Sequence, residues 1–161
     1  MPRILICANS YPPQIGGLAT YSSQLAIHLG KLDFDITVLA PRSPGFKTFD
    51  EDRRCKTLRY SSKLDLYQKC LVEIFRTDLV FIVQRGNYLT LAYYINKVLR
   101  RHYVVALHGH EVQSRKRNSI IKQMNHASGL VPGSKYAAEH FKGLGVNPSL
   151  ITVINHGTTP I

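Results

Sequence analysis

The chain opens on an apolar run, Ile4-Leu5-Ile6-Cys7-Ala8, followed by polar Asn9 and Ser10 and by the pairs Pro12-Pro13 and Gly16-Gly17. The period then changes: Leu18, Tyr21, Ser22, Leu25, Ala26 and Leu29 recur at three- and four-residue steps. This pattern predicts a buried strand, a loop and an amphipathic helix. The two glycines fall where the loop becomes the helix. Without Cβ atoms they let a ligand come close to the backbone, and the N–H groups of a helix start favour an anion there. A strand-to-helix connection usually takes about 2–6 residues. The stretch from Asn9 to Gly17 is longer, which favours a binding loop over a plain turn.

The alternation continues along the chain. Asp35–Leu39 predicts a second strand, and Ala40–Asp52, with Pro41, Pro44, Gly45 and three acids, reads as loop. Lys56–Tyr60 is a weaker strand. Leu64–Arg76 predicts a helix with Tyr67, Cys70, Leu71 and Ile74 on its inward stripe. Leu79–Val83 is apolar throughout, as a strand buried on both faces would be. Next come a helix over Tyr88–Arg101, with Leu91, Ala92, Ile95, Val98 and Leu99 inward, and a strand over Tyr103–Leu107. Then follow a helix over Ser114–Asn125, a short strand over Gly129–Val131, a helix over Lys135–Leu144 stopped by Gly145, and a last strand over Ile151–Ile154.

Strand and helix in regular alternation predict an α/β fold. It is a Rossmann-like open, mostly parallel sheet with helices on both faces and right-handed crossovers. Ligands in such sheets bind at the carboxyl ends of the strands. Four polar loops are expected there: Asn9–Gly17, Gln84–Asn87, His108–Glu111 and Pro132–Ser134.

Composition narrows the classes. A chain of 161 residues is read as a single domain able to bury a core. Its apolar runs are far shorter than the roughly 20 residues that span a bilayer, and no secretory leader is expected. Three cysteines, Cys7, Cys55 and Cys70, have no Cys-x-x-Cys spacing, which fits a reducing cytoplasmic compartment. The net charge is +11 and is uneven. Residues 1–78 carry 11 Lys and Arg against 8 acids, whereas residues 79–161 carry 10 against 2, Glu111 and Glu139. Such a field attracts phosphates, anionic lipid headgroups or nucleic acid. Nucleic acid is not the expected partner, because the aromatics are spaced as core positions rather than as a stacking platform.

The candidate chemistry lies in the loops. His108 follows a strand directly, where an imidazole can hydrogen-bond or exchange a proton near neutral pH. His110 reads as an exposed loop residue. The His108, His110 and Glu111 spacing matches no zinc motif. Glu111 could orient a substrate hydroxyl or pair with Arg115. Arg115-Lys116-Arg117 with Lys122 could hold a phosphate, lie on an anionic membrane surface, or point into water from an ordinary amphipathic helix. Gly-x-Gly-x-x-Gly, Gly-x-x-x-x-Gly-Lys-Ser/Thr and Gly-x-Ser-x-Gly are all absent from the sequence.

Several segments, in order, resemble the amino-terminal domain of family 4 glycosyltransferases, which have the GT-B fold. They are Tyr11-Pro12-Pro13-x-x-Gly16-Gly17, then Val104-Val105-Ala106-Leu107-His108-Gly109-x-Glu111, then Ser134-x-Tyr136 and Leu144-Gly145-Val146, and last Ile151-Thr152-Val153-Ile154-x-x-Gly157. The resemblance implies half of a two-domain, retaining enzyme that needs no metal or other cofactor. In it, this domain binds a sugar or lipid-linked acceptor. A carboxyl-terminal domain or subunit holds the nucleotide-sugar donor, which is a co-substrate, and stabilises the departing diphosphate. By position, Gly16 and Gly17 would lie against the donor phosphate or sugar, and His108 would face the reacting sugar. Glu111 would shape the acceptor side and Ser134 would sit at the cleft edge. Arg115 is a substrate-binding candidate from the basic cluster alone.

The family often closes this domain with Asn-Gly-x-Asp, where this chain has His156-Gly157-Thr158-Thr159. The donor domain is expected beyond Ile161, so the chain alone is expected to be inactive in sugar transfer. Polysaccharide or glycolipid assembly at the inner membrane face is the expected setting. The alternative is a non-catalytic module docked on a partner subunit.

Overall fold

The computed structural model describes residues 1–51, 55–108 and 117–155. They form two compact units, Met1–Val83 and Gln84–Ile161.

The first unit contains β1 (Arg3–Cys7), α1 (Gly17–Lys31), β2 (Asp35–Pro41), α2 (Phe46–Glu51), β3 (Lys56–Tyr60), α3 (Lys63–Arg76) and β4 (Leu79–Ile82). Its strands lie in the order β3-β2-β1-β4, all parallel. β1 pairs with both β2 and β4, so Leu5, Ile6 and Cys7 are shut from water on both faces. That explains why β1 has no polar alternation. The chain leaves β1 toward β2 on one side and returns through β4 on the other. This reversal makes a crevice at the carboxyl end of β1, where the loop to α1 begins. α1 packs through small residues, Ala19, Ser22, Ser23 and Ala26. Ser22 is fully buried, and its hydroxyl donates to the carbonyls of Leu18 (2.7 Å) and Ser10 (3.1 Å). The second bond ties the helix to the loop before it.

The second unit contains α4 (Asn87–Leu99), β5 (His102–Leu107), α5 (Arg117–Met124), β6 (Gly129–Pro132), α6 (Lys135–Gly143) and a 3₁₀ turn, Pro148–Leu150. β5 and β6 are parallel, with Leu107 opposite Pro132. Tyr103 is buried and its hydroxyl donates to the Gln123 carbonyl. Burial, with a smaller contribution from Tyr93, pushes its ionisation well above the usual phenol range. Asn125 fastens the far end of this unit, donating to the Gly145 carbonyl (3.1 Å) and accepting from the Asn147 N–H (2.8 Å).

The Rossmann-like α/β expectation holds, and most predicted elements appear within two residues of their expected ends. Four details differ. The predicted loop Ala40–Asp52 contains the end of β2 and the short helix α2. On α3 the buried side is Leu66, Cys70, Glu73 and Ile74, while Tyr67 and Leu71 face outward. Glu73 can lie inside because Lys56 meets it at 2.9 Å. On α4, Tyr88, Leu89, Ala92, Tyr93 and Ile95 are buried, and Val98 and Leu99 are exposed. The last predicted strand is a single bridge, Leu130 to Ile151, with Thr152 and Ile154 donating to the carbonyls of Leu130 and Pro132.

Candidate functional site

The loop after β1 is anchored at one end and open at the other. Tyr11 is buried, meeting Phe49 edge-on at 6.1 Å and lying 3.7 Å from the Cys55 sulfur through its hydroxyl. Arg59, on β3, holds the next residue. Its guanidinium donates to both oxygens of Asp50 (2.8 and 3.0 Å) and to the carbonyls of Pro41 (3.0 Å) and Pro12 (2.5 Å). It also stacks over Tyr11 at 5.1 Å and Phe46 at 5.8 Å. The Arg59 side chain is only 3% exposed, so this is a buried charge whose carboxylate and carbonyl partners compensate its desolvation. The Tyr11-Pro12 part of the motif is therefore structural.

Past this anchor the loop rises into solvent, with Ile15 fully exposed. Gly16 precedes α1 with φ 157° and ψ 155°, a conformation that residues with side chains rarely adopt. The first helical bond runs from the Thr20 N–H to the Gly16 carbonyl at 3.0 Å. The N–H groups of Gly17, Leu18 and Ala19 thus lie outside the ladder of α1, and no side chain caps them. A methyl group on Gly16 or Gly17 would find no heavy atom within 4 Å. This bare, electropositive helix start, opening on empty space, suits a phosphate or a sugar ring.

In the second unit, His108 is the first residue past β5 and is half-buried. Gly133 donates to the Leu107 carbonyl at 3.3 Å, so the loops carrying His108 and Ser134 leave the carboxyl ends of neighbouring parallel strands. Ser134 caps α6, its hydroxyl accepting the Ala137 N–H at 3.1 Å. Its side chain thereby has a structural task at the position where the sequence suggested a ligand contact. Glu111 and Arg115 lie outside the described residues.

Two groups escaped sequence reasoning. Arg59 lies 47 residues from Pro12 and 9 from Asp50, and no local spacing signals the contact. Gln84, two residues past β4, keeps its carboxamide oxygen buried without a hydrogen-bond partner among the described residues. Its place in a polar loop at a strand end was the available signal, and a bound hydroxyl could satisfy it. Among the described residues, no three His, Cys, Asp or Glu side chains converge as metal ligands would, and no helix is long and apolar enough to cross a membrane. An open concavity of about 460 Å³, lined in part by Lys122, His126 and Leu144, lies where α5 and α6 end, away from Ser134. It contains none of the predicted site residues.

Comparison with known proteins finds the same fold in solved structures. Anabaena HepE, solved in complex with UDP and glucose, superposes with a TM-score of 0.71 at 20% identity, covering 98% of this chain and 45% of that one. A glycosyltransferase from Rickettsia africae gives 0.71 at 16% identity, over 97% and 43%. A UDP-GlcNAc 2-epimerase from Methanocaldococcus jannaschii gives 0.63 at 14% identity, over 94% and 45%. These likenesses establish a shared fold, and the chain spans less than half the length of each structure. No curated protein matches the sequence. The sequence model of Glycosyltransferase Family 4 matches residues 15–160, which takes in the Gly16-Gly17 loop and both strand ends of the second unit. With nearly the whole chain matched, the protein belongs to glycosyltransferase family 4.

Proposed function

We propose that this chain is the acceptor-binding, amino-terminal half of a retaining, nucleotide-sugar-dependent glycosyltransferase that serves polysaccharide or glycolipid assembly. The observation that carries the proposal is the α1 start. Gly16 and Gly17 leave space and unpaired N–H groups where a sugar diphosphate would lie. UDP and glucose bound to Anabaena HepE support a nucleotide sugar as the co-substrate. His108 faces the reacting sugar in this reading, where an imidazole can bond a hydroxyl or share its proton. Glu111 and Arg115 bind substrate, and Ser134 borders the site while capping α6.

Stabilising the departing diphosphate is a large part of such a reaction. In this reading a carboxyl-terminal donor domain or subunit supplies those groups, and the 161 residues alone do not turn over. The test is a nucleotide-sugar transfer assay on the purified chain, alone and mixed with a donor domain from the same source. Activity only in the mixture, lost with His108→Ala, supports the proposal. Robust transfer by the chain alone refutes its incompleteness. A folded mixture that binds donor but never transfers sugar leaves a non-catalytic module docked on a partner.

A further inference from the structure

α5 and α6 end beside one another at the amino end of β6, the opposite end of that strand from Ser134. The open concavity of about 460 Å³ lies between them. Its floor is fixed, because Asn125 ties the end of α5 to the stretch after α6 through the Gly145 carbonyl and the Asn147 N–H. Several hundred Å³ of concave space is the size of a small-molecule site. Reaction substrates of a parallel α/β sheet bind at the carboxyl ends of its strands, so a ligand here is a different one.

The lining offers donors and a positive charge. Among the described residues no Asp or Glu lines the concavity, and no carboxylate pairs with Lys122. His126 Nδ1 lies 2.9 Å from the Lys122 carbonyl. A carbonyl only accepts, so Nδ1 carries the hydrogen and Nε2 is the ring nitrogen left for a ligand. Tyr93 meets the same ring edge-on at 5.1 Å, and Lys97 lies over Tyr93 at 5.1 Å, which adds a second cation to this side of the unit. The helix ends do not oppose an anion. The carbonyls of Ile121, Lys122, Gln123 and Met124 in α5 accept from Asn125, His126 and Ala127, and those of His140, Phe141 and Lys142 in α6 accept from Leu144, Val146 and Gly145. Oxygens that would repel an anion are thus committed within the protein.

A lysine ammonium is a point charge that suits a phosphate, whereas a carboxylate is matched by the planar fork of arginine, and among the described residues no arginine lines the concavity. Ile121 and Leu144 add an apolar wall. A second copy of the chain, with 21 Lys and Arg against 10 acids, is a poor source of the anion. We infer that this concavity binds a small organic phosphate, its phosphate on Lys122 Nζ and sharing a proton with His126 Nε2, its organic body against Ile121 and Leu144. The site is built within the second unit alone and is separate from the Gly16-Gly17 loop. It holds whether or not the chain takes part in sugar transfer.

Two-dimensional NMR of the 161-residue protein titrated with glycerol 3-phosphate tests it, because residue by residue it reads this concavity apart from the Gly16-Gly17 loop. Saturable shifts are expected at the His126 ring and at the Lys122 and Asn125 amides, with a Kd of about 1 mM or tighter. Glycerol, and sodium chloride at the same ionic strength, should not reproduce them. Lys122→Gln and His126→Gln should each weaken this binding about tenfold while leaving the response of the Gly17 amide unchanged. Both side chains are exposed, so the far-ultraviolet circular dichroism should be unaltered. Shifts that are absent, matched by sodium chloride, or indifferent to both changes overturn the inference. Loss of phosphate binding when a donor domain from the same source is added, with the same signals moved by that domain, overturns it in favour of an acidic segment of the partner.

Discussion

At the residue scale, Gly16 and Gly17 are neighbours with different constraints. Gly16 needs its unusual backbone conformation, whereas Gly17 starts a helix and needs only that nothing occupy the space above it. Gly17→Ala should therefore leave the fold intact and, through a less flexible unfolded chain, change stability by at most about 1 kcal/mol in its favour. Its new methyl group would fill the approach to the α1 N–H groups. Weaker nucleotide-sugar use with a melting temperature that is unchanged or slightly raised is the expected signature, read by KM in the reconstituted enzyme. Arg59 presents the opposite case. Arg59→Ala leaves Asp50 facing a lost partner and two carbonyls without donors, and should cost about 3–5 kcal/mol in urea unfolding. Arg59→Lys should recover little, since an ammonium cannot reproduce the fork on Asp50 while also reaching both carbonyls.

At the element scale, α3 shows how a helix start is set by short polar contacts. Ser62 accepts the Asp65 N–H at 3.2 Å, and Asp65 in return accepts the Ser61 N–H and meets Lys69. The bond from Lys69, then that from Ser61, hold the Asp65 carboxyl below its usual range. A carboxyl depressed in the folded state stabilises at pH values above its unfolded pKa, about 3.9, and that contribution disappears as pH falls through the lower folded value. Asp65→Asn is expected to lower the melting temperature at pH 7, and the gap should close as the pH falls below about 4. Thermal unfolding of both proteins across pH 2–7 measures this. Periodicity located α3 and its inward Cys70 and Ile74, but it also set Tyr67 and Leu71 inward, where the structure has Leu66 and Glu73. Apolar residues occupy both sides of the helix, and a polar one, Glu73, is buried with Lys56. A hydrophobic pattern identifies one core face only when the other face is polar.

At the scale of the whole molecule, β1 is paired on both edges within the first unit and closed on both faces, while β3 pairs only with β2 there. Local opening should follow that difference. Hydrogen exchange is expected to be slowest at the amides of Leu5, Ile6 and Cys7 and faster by orders of magnitude at the outer amides of Lys56–Tyr60. Equal protection in both strands would mean that the unit opens only as a whole. The uneven charge also belongs to this scale, since the second half of the chain holds 10 cations against 2 acids. Its field reaches about 8 Å at physiological salt. It can draw anions toward the protein, but the groups that hold them have to be local.

The sequence by itself determined the alternation of strand and helix, the parallel α/β class, and the loops that end at strand carboxyl termini. These depend on residue periods and on glycine and proline punctuation, all of which act over a few neighbours. It also put Gly16-Gly17 at the start of a helix and His108 at the end of a strand, because both junctions are visible locally. Tertiary structure decided the rest. It turned Tyr11-Pro12 into an anchor by bringing Arg59 from 47 residues away, and it made Ser134 a helix cap. It reduced the last strand to one bridge and left α3 with an apolar face toward solvent. Each of these outcomes depends on which distant group fills a hydrogen bond or covers a surface, and local residue patterns carry no record of that choice.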